Sequence, residues 1–132
     1  MPLRLTLRPG EKLFLNGAVL VNGESRSELT LLNEVSILRE KDIMVEGAAD
    51  TPCKRIYFLL QLMYIDPSSR ETYLNNLNVA TAEIASAARS TLPLLNRIGE
   101  FVVLGDYYQA MKSAKMLISY EKELQEHVSQ SN

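Results

Sequence analysis

Leu3-Arg4-Leu5-Thr6-Leu7-Arg8-Pro9-Gly10-Glu11-Lys12-Leu13-Phe14-Leu15-Asn16-Gly17-Ala18-Val19-Leu20-Val21-Asn22-Gly23 decides the fold, because its apolar residues fall in short runs broken by turn dipeptides. Leu3, Leu5 and Leu7 alternate with Arg4, Thr6 and Arg8, the period of two that puts leucines on one face of a strand and polar groups on the other. Arg8-Pro9-Gly10-Glu11 supplies a turn, since proline presets φ at the second position and glycine accepts the positive φ that follows. Asn16-Gly17 and Asn22-Gly23 each read as the tight primed turn of a hairpin. Strands are therefore expected at Leu3–Arg8, Lys12–Leu15, Ala18–Val21, Glu28–Leu32 and Val35–Leu38, followed by the loop Glu46–Asp50.

The pattern changes at Thr51. Thr51-Pro52 is a good N-cap and first-turn pair, and Ile56–Ile65 is apolar except for Gln61 and ends at Asp66-Pro67. A buried helix over 52–65 is expected; a long central strand is the rival, because a segment apolar all round carries no period. Ser68-Ser69-Arg70-Glu71 reads as a capping box for a helix running to about Arg89, with Leu74, Leu77, Thr81, Ile84 and Ala88 on one stripe. Thr91 and Pro93 open a shorter helix with Leu94, Leu95, Ile98, Phe101 and Val102 inward and Gly105 at its end. Asp106 caps a last helix whose inward residues run from Tyr107 to Val128, leaving Ser129–Asn132 as a frayed tail. The fold class is α+β: a small antiparallel β module over 1–50, then a bundle of about four helices over 51–132.

Composition narrows the function classes. A chain of 132 residues with 46% hydrophobic side chains can bury one real core. With 14 basic and 16 acidic side chains the net charge is -2, so no diffuse cationic field pulls it onto DNA or an anionic membrane. The deficit sits wholly in the second half: residues 1–55 hold eight basic and eight acidic groups, residues 56–132 six and eight. There is no signal-peptide pattern and no membrane-length apolar run, and the lone Cys53 cannot form an internal disulfide, so a cytoplasmic protein is expected.

Catalytic chemistry is poorly supplied. The single His127 and the single Cys53 lie near opposite ends of the helical half, without a neighbour that would make a nucleophile and base pair. No phosphate-binding glycine loop and no metal-ligand spacing occurs, so no enzyme activity, cofactor or metal site is expected. Tyr57, Tyr64, Tyr107, Tyr108 and Tyr120 could form a base-stacking platform, but tyrosines at helical spacing beside leucines read first as core rim. Arg39-Glu40-Lys41-Asp42 reads first as a solvated edge.

Two resemblances extend this reading. Leu5-Thr6-Leu7-Arg8-Pro9-Gly10-Glu11-Lys12-Leu13 and Val35-Ser36-Ile37-Leu38-Arg39-Glu40 resemble the RNA-binding regulator CsrA, a strand-exchanged dimer. That resemblance implies a CsrA-like β module and places messenger-gripping groups at Arg39 and, on the opening strand, at Arg4, Thr6 and Arg8; Lys41 joins them as the adjacent cation. The second is nearly chain-wide. Met1–Lys12, Leu38–Met44, Thr51-Pro52, Arg55–Phe58, Gln61–Tyr64 and Tyr107–Lys112 are similar to the flagellar-biosynthesis repressor FlbT family of alphaproteobacteria.

The second resemblance implies a post-transcriptional repressor that associates with the 5′ untranslated region of flagellin mRNA and promotes its degradation. A neutral lobe can hold single-stranded RNA through arginine forks at a sheet edge, particularly if two copies engage one messenger, so a homodimer is expected. The alternative is a protein-binding module whose acidic helical half docks flagellin or a flagellar co-regulator, with indirect effects on RNA. Neither reading involves DNA or a membrane.

Overall fold

A computed structural model of the chain describes residues 2–131, with side chains described through Val128. The chain divides into two compact units, residues 1–43 and 44–132.

The first unit holds five short strands: β1 (Leu3–Leu7), β2 (Lys12–Leu15), β3 (Ala18–Val21), β4 (Ser27–Leu31) and β5 (Ile37–Arg39). They form two antiparallel sheets, β1 with β4 and β3-β2-β5. The Arg8–Glu11 turn closes with the Glu11 amide donating to the Arg8 carbonyl at 3.1 Å and Gly10 at φ +71°. Asn16 and Gly17 sit at φ 45° and 93°, so the first Asn-Gly pair is the primed turn joining β2 to β3.

The second Asn-Gly pair behaves otherwise. β4 lies beside β1 rather than β3, and among the described residues Gly23 is not one of the positive-φ glycines. Asn22 acts through its side chain instead: Nδ2 donates to the carbonyls of Leu7 (3.3 Å), Arg8 (2.8 Å) and Ser25 (3.1 Å), and Oδ1 accepts from the Ser27 hydroxyl at 2.9 Å. A local hairpin between β3 and β4 was the expectation; an asparagine clasp that returns the chain to β1 replaces it.

The second unit contains α1 (Pro52–Ile65), α2 (Arg70–Ala87), α3 (Leu92–Val103) and α4 (Tyr107–Ser131). Helix over strand is thus the outcome at 52–65. Thr51 caps α1 by accepting from the Lys54 amide at 3.2 Å, and Glu121 of α4 reinforces that end, accepting from the Thr51 hydroxyl at 2.5 Å and the Cys53 amide at 3.1 Å. Asp106 accepts from the Gln109 amide at 3.1 Å at the start of α4, and Gly105 takes φ +75° after α3. α4 keeps its helical backbone to Ser131, beyond the expected fraying point, and Asn132 lies outside the described residues.

The capping box expected at Ser68 and Glu71 does not form. Pro67–Ser69 is a 3₁₀ turn, α2 begins at Arg70, and Ser69 makes no side-chain cap. The Ser68 hydroxyl turns back to Asp66 (2.7 Å), which also accepts from the Tyr73 hydroxyl at 2.8 Å. Those bonds hold the Asp66 carboxyl below its ordinary range and push the Tyr73 phenol up.

α1 packs against α2 and α4, and α4 against α3, giving the lateral order α2-α1-α4-α3. Ile56, Leu60 and Met63 of α1 and Ala110, Ala114 and Leu117 of α4, two helices that pack together, are each no more than 1% exposed. The segment after Ile43 is held to α1 by Gln61, whose carboxamide accepts from the Met44 amide and donates to the Met44 carbonyl, both at 2.8 Å. That exchange satisfies a polar side chain only 4% exposed.

Candidate nucleic-acid interface

β1 pairs with β4 in the register Arg4↔Thr30 and Thr6↔Glu28, so one face of this two-stranded sheet carries Arg4, Thr6, Glu28 and Thr30, all exposed. Leu5, Leu7, Leu29 and Leu31 occupy the other face, as the alternation predicts. Arg8 continues the polar row past the end of β1, with its side chain 76% exposed and its Nε 3.8 Å from Glu11. Lys41 is also exposed, in the 3₁₀ turn Glu40–Asp42 that follows β5.

Arg39 is differently employed. Its Nη2 donates to both carboxylate oxygens of Glu11 (3.1 and 3.0 Å) and to the Thr6 carbonyl (2.6 Å), while Nε donates to Glu11 at 3.2 Å. Glu11 itself is 5% exposed and also accepts from the Arg8 amide at 2.9 Å. The Arg8 amide, followed by the Arg39 guanidinium, holds the Glu11 carboxyl below its ordinary pKa against the opposing effect of burial. A guanidinium fork on a buried carboxylate is a strong, geometrically specific pairing. Arg39 therefore ties β5 to the turn before β2 and to the backbone of β1.

The structure thus brings Arg4, Thr6 and Arg8 into one exposed row, and gives Arg39 an internal partner with its side chain 32% exposed. Sequence reading missed Glu11 and Asn22 as the groups that shape this surface. The only sequence signal for Glu11 is its place directly after a Pro-Gly turn, from which its carboxylate reaches back to the Arg8 amide.

The other candidate residues resolve simply. Cys53 is buried, and burial with the adjacent Glu121 carboxylate pushes its thiol up to about 12, so it is not poised as a nucleophile. His127 is exposed near the end of α4. Among the described residues no cluster of histidine, cysteine and carboxylate side chains could hold a metal, and no helix is long and apolar enough to cross a membrane.

Of the tyrosines, Tyr57 is buried, and several rings carry cations of the same chain. Arg70 lies 4.5 Å from the Tyr107 centroid, Lys112 5.1 Å from that of Tyr108, and Lys115 5.9 Å from that of Tyr57.

Residues 3–125 match the family described as flagellar protein FlbT. The chain belongs to the FlbT family. It is 40% identical over 131 residues, 98% of this chain and 93% of the relative, to the flagellum biosynthesis repressor protein FlbT of Caulobacter vibrioides (strain ATCC 19089 / CIP 103742 / CB 15). A probable flagellum biosynthesis repressor protein FlbT of Caulobacter sp. (strain K31) is also 40% identical, over 98% of this chain and all of the relative. A relative of the same description in Bradyrhizobium diazoefficiens is 36% identical over 94% of this chain and 85% of its own length. No solved structure matches, so the resemblance of the strand unit to CsrA gains no structural support.

Proposed function

We propose that this FlbT-family chain represses flagellin synthesis after transcription, associating with the 5′ untranslated region of flagellin mRNA and promoting its degradation. The observation that carries the repressor role is the end-to-end similarity to relatives named flagellum biosynthesis repressors. Direct contact with RNA is supported by the exposed row of Arg4, Thr6 and Arg8, with exposed Lys41 as a further cation. In this reading Arg39 orders the row by holding β1 and β5 together, and its exposed part adds a donor. A dimer would offer one leader two such rows, making the second contact intramolecular.

The test is a gel shift of labelled flagellin leader RNA against the protein and a folded Arg4→Ala/Arg8→Ala variant at two salt concentrations. Each lost phosphate contact lowers the slope of log affinity against log salt by about 0.7 on a single strand, so the double variant binds more weakly with a shallower slope. Unchanged binding by a folded double variant removes the assignment.

A second reading has its own observation. The strand unit carries six basic and six acidic side chains up to Ile43, whereas the helical unit has an open, mainly apolar groove. On that reading the helical unit docks flagellin or a flagellar co-regulator, and the messenger responds through that complex.

A further inference from the structure

Each of α2 and α3 packs chiefly against one member of the α1–α4 pair, and where α2 and α3 face each other they touch little. The four-residue link Ala88–Thr91 turns the chain back, making α2 and α3 an antiparallel pair with a gap between them. That gap is a groove of about 360 Å³, walled by Leu74, Leu77, Leu92, Leu95, Ile98 and Val102. Small residues, Ala82, Ala85 and Gly99, share the rest of the lining with the polar Asn78, Thr81 and Asn96. The apolar surface runs on at the lip, where Leu92 is 36% and Val103 87% exposed, with Leu104 beside it at 77%. Exposed apolar side chains clustered about a concave wall mark a surface that meets a partner.

The charges near the groove have one sign at one end. Counting 100° per residue, Glu71 continues the α2 stripe of Asn78, Ala82 and Ala85 two turns before Asn78, and Glu100 flanks the α3 stripe of Asn96, Gly99 and Val103. Because the helices are antiparallel, both carboxylates fall at the end formed by the start of α2 and the close of α3. Arg97 and Glu83 project from the opposite faces of their helices. Arg70 is turned inward, its Nε donating to the Met63 carbonyl at 2.7 Å and its guanidinium lying over Tyr107.

We propose that this groove binds an amphipathic helix of a partner protein, with its apolar stripe seated between α2 and α3 and basic side chains beside Glu71 and Glu100. A helix lays i, i+3, i+4 and i+7 side chains into such a trough, and the exposed small residues Ala82 and Gly99 allow close approach over the buried Leu77, Leu95 and Ile98. This deepens the second functional reading, on which it rests, by naming the chemistry of the docked element. It is independent of the cationic row on β1.

The test uses the full chain and two labelled 18-residue peptides that share a leucine stripe and differ in flanks, one lysine-bearing and one glutamate-bearing. Fluorescence anisotropy should show binding of the basic peptide and at least about tenfold weaker binding of the acidic one. Gly99→Leu fills the groove without changing charge, and a Cβ at Gly99 meets nothing within 4 Å, so the variant folds yet loses the basic peptide. Glu71→Lys/Glu100→Lys reverses the preference.

Equal binding of both peptides, or binding of the basic peptide unaffected by Gly99→Leu, overturns the proposal. So does a protein dimer that Gly99→Leu converts to monomer, since the groove then belongs to a second copy. Leader RNA binding should survive Gly99→Leu; its loss together with peptide binding would overturn the independence of the two surfaces. Failure of the peptide test with flagellin or a co-regulator still captured elsewhere on the helical unit would sink this groove but not the second reading.

Discussion

The strand unit and the helical unit are held together by different physics. Among the described residues, the buried apolar side chains of the first are Leu7, Leu13 and Leu38, whereas the second buries residues from all four helices, from Cys53 to Leu117. The strand unit compensates with polar stitching: Arg39 on Glu11, Asn22 on three carbonyls and one hydroxyl. Its strand β3 is exposed throughout, with Val19 and Val21 more than 60% open to solvent. One unit is thus set by directional bonds across short strands, the other by close packing. The surface proposed for RNA is positioned by bonds that charge and pH can alter, and the groove proposed for a helix is walled by apolar side chains of the packed core.

The sharpest way to break the contrast is a cavity in the helical core. Leu60 is fully buried on α1, between the helices that flank it on either side. Leu60→Ala should cost about 2–5 kcal/mol, read as a lower urea midpoint in far-ultraviolet circular dichroism. A cost below about 1 kcal/mol would mean that the helical unit does not depend on packing in the way described.

The matching test in the strand unit is acid rather than a cavity. The Glu11 carboxyl is depressed in the folded chain, so its contribution to stability is fully present above the unfolded value near 4.5 and is lost as pH falls through the lower folded value. Glu11→Gln removes that dependence from the strand unit. Amide exchange of β1 and β2 should slow as pH rises through the acid range after correction for intrinsic rates, and should flatten in the variant. Asp66, also depressed, supplies a similar acid limb to the helical unit through Ser68 and Tyr73, so the two limbs must be read from amides of their own units. If Glu11→Gln leaves the exchange of β1 amides untouched at every pH, the Arg39 pair is decorative.

What the sequence disclosed follows the range of the interactions concerned. Local signals were legible: the Leu3-Leu5-Leu7 alternation, the Thr51 and Asp106 caps, Gly105, and the change from strands to helices at Thr51. Contacts between distant residues were not. Glu11 meets Arg39 across 28 positions and Thr51 meets Glu121 across 70, and neither pair leaves a periodic trace. The candidate site was legible only in part for the same reason. The exposed row of Arg4, Thr6 and Arg8 follows from period two, whereas the inward commitment of Arg39 depends on a buried carboxylate beyond any local window. Ser68 misled because a proline directly before it favours a 3₁₀ turn, in which its hydroxyl reaches Asp66 first.

The smallest expected effect separates two identical dipeptides. Gly17 stands at φ +93° in the β2–β3 turn, where a Cβ is strained whatever the space, so Gly17→Ala should cost on the order of 1–2 kcal/mol. Gly23 meets nothing within 4 Å and needs no left-handed backbone, so Gly23→Ala should be neutral or stabilise by about 0.4–1 kcal/mol through the unfolded chain. The asparagines invert that order of importance: Asn22 carries the clasp through its side chain, whereas Asn16 contributes its backbone angle of 45°. Thermal melts of the two glycine variants should therefore move in opposite directions or differ by several degrees. Equal losses would show that the second turn, like the first, is held by its backbone conformation, and the asparagine clasp would then be secondary to it.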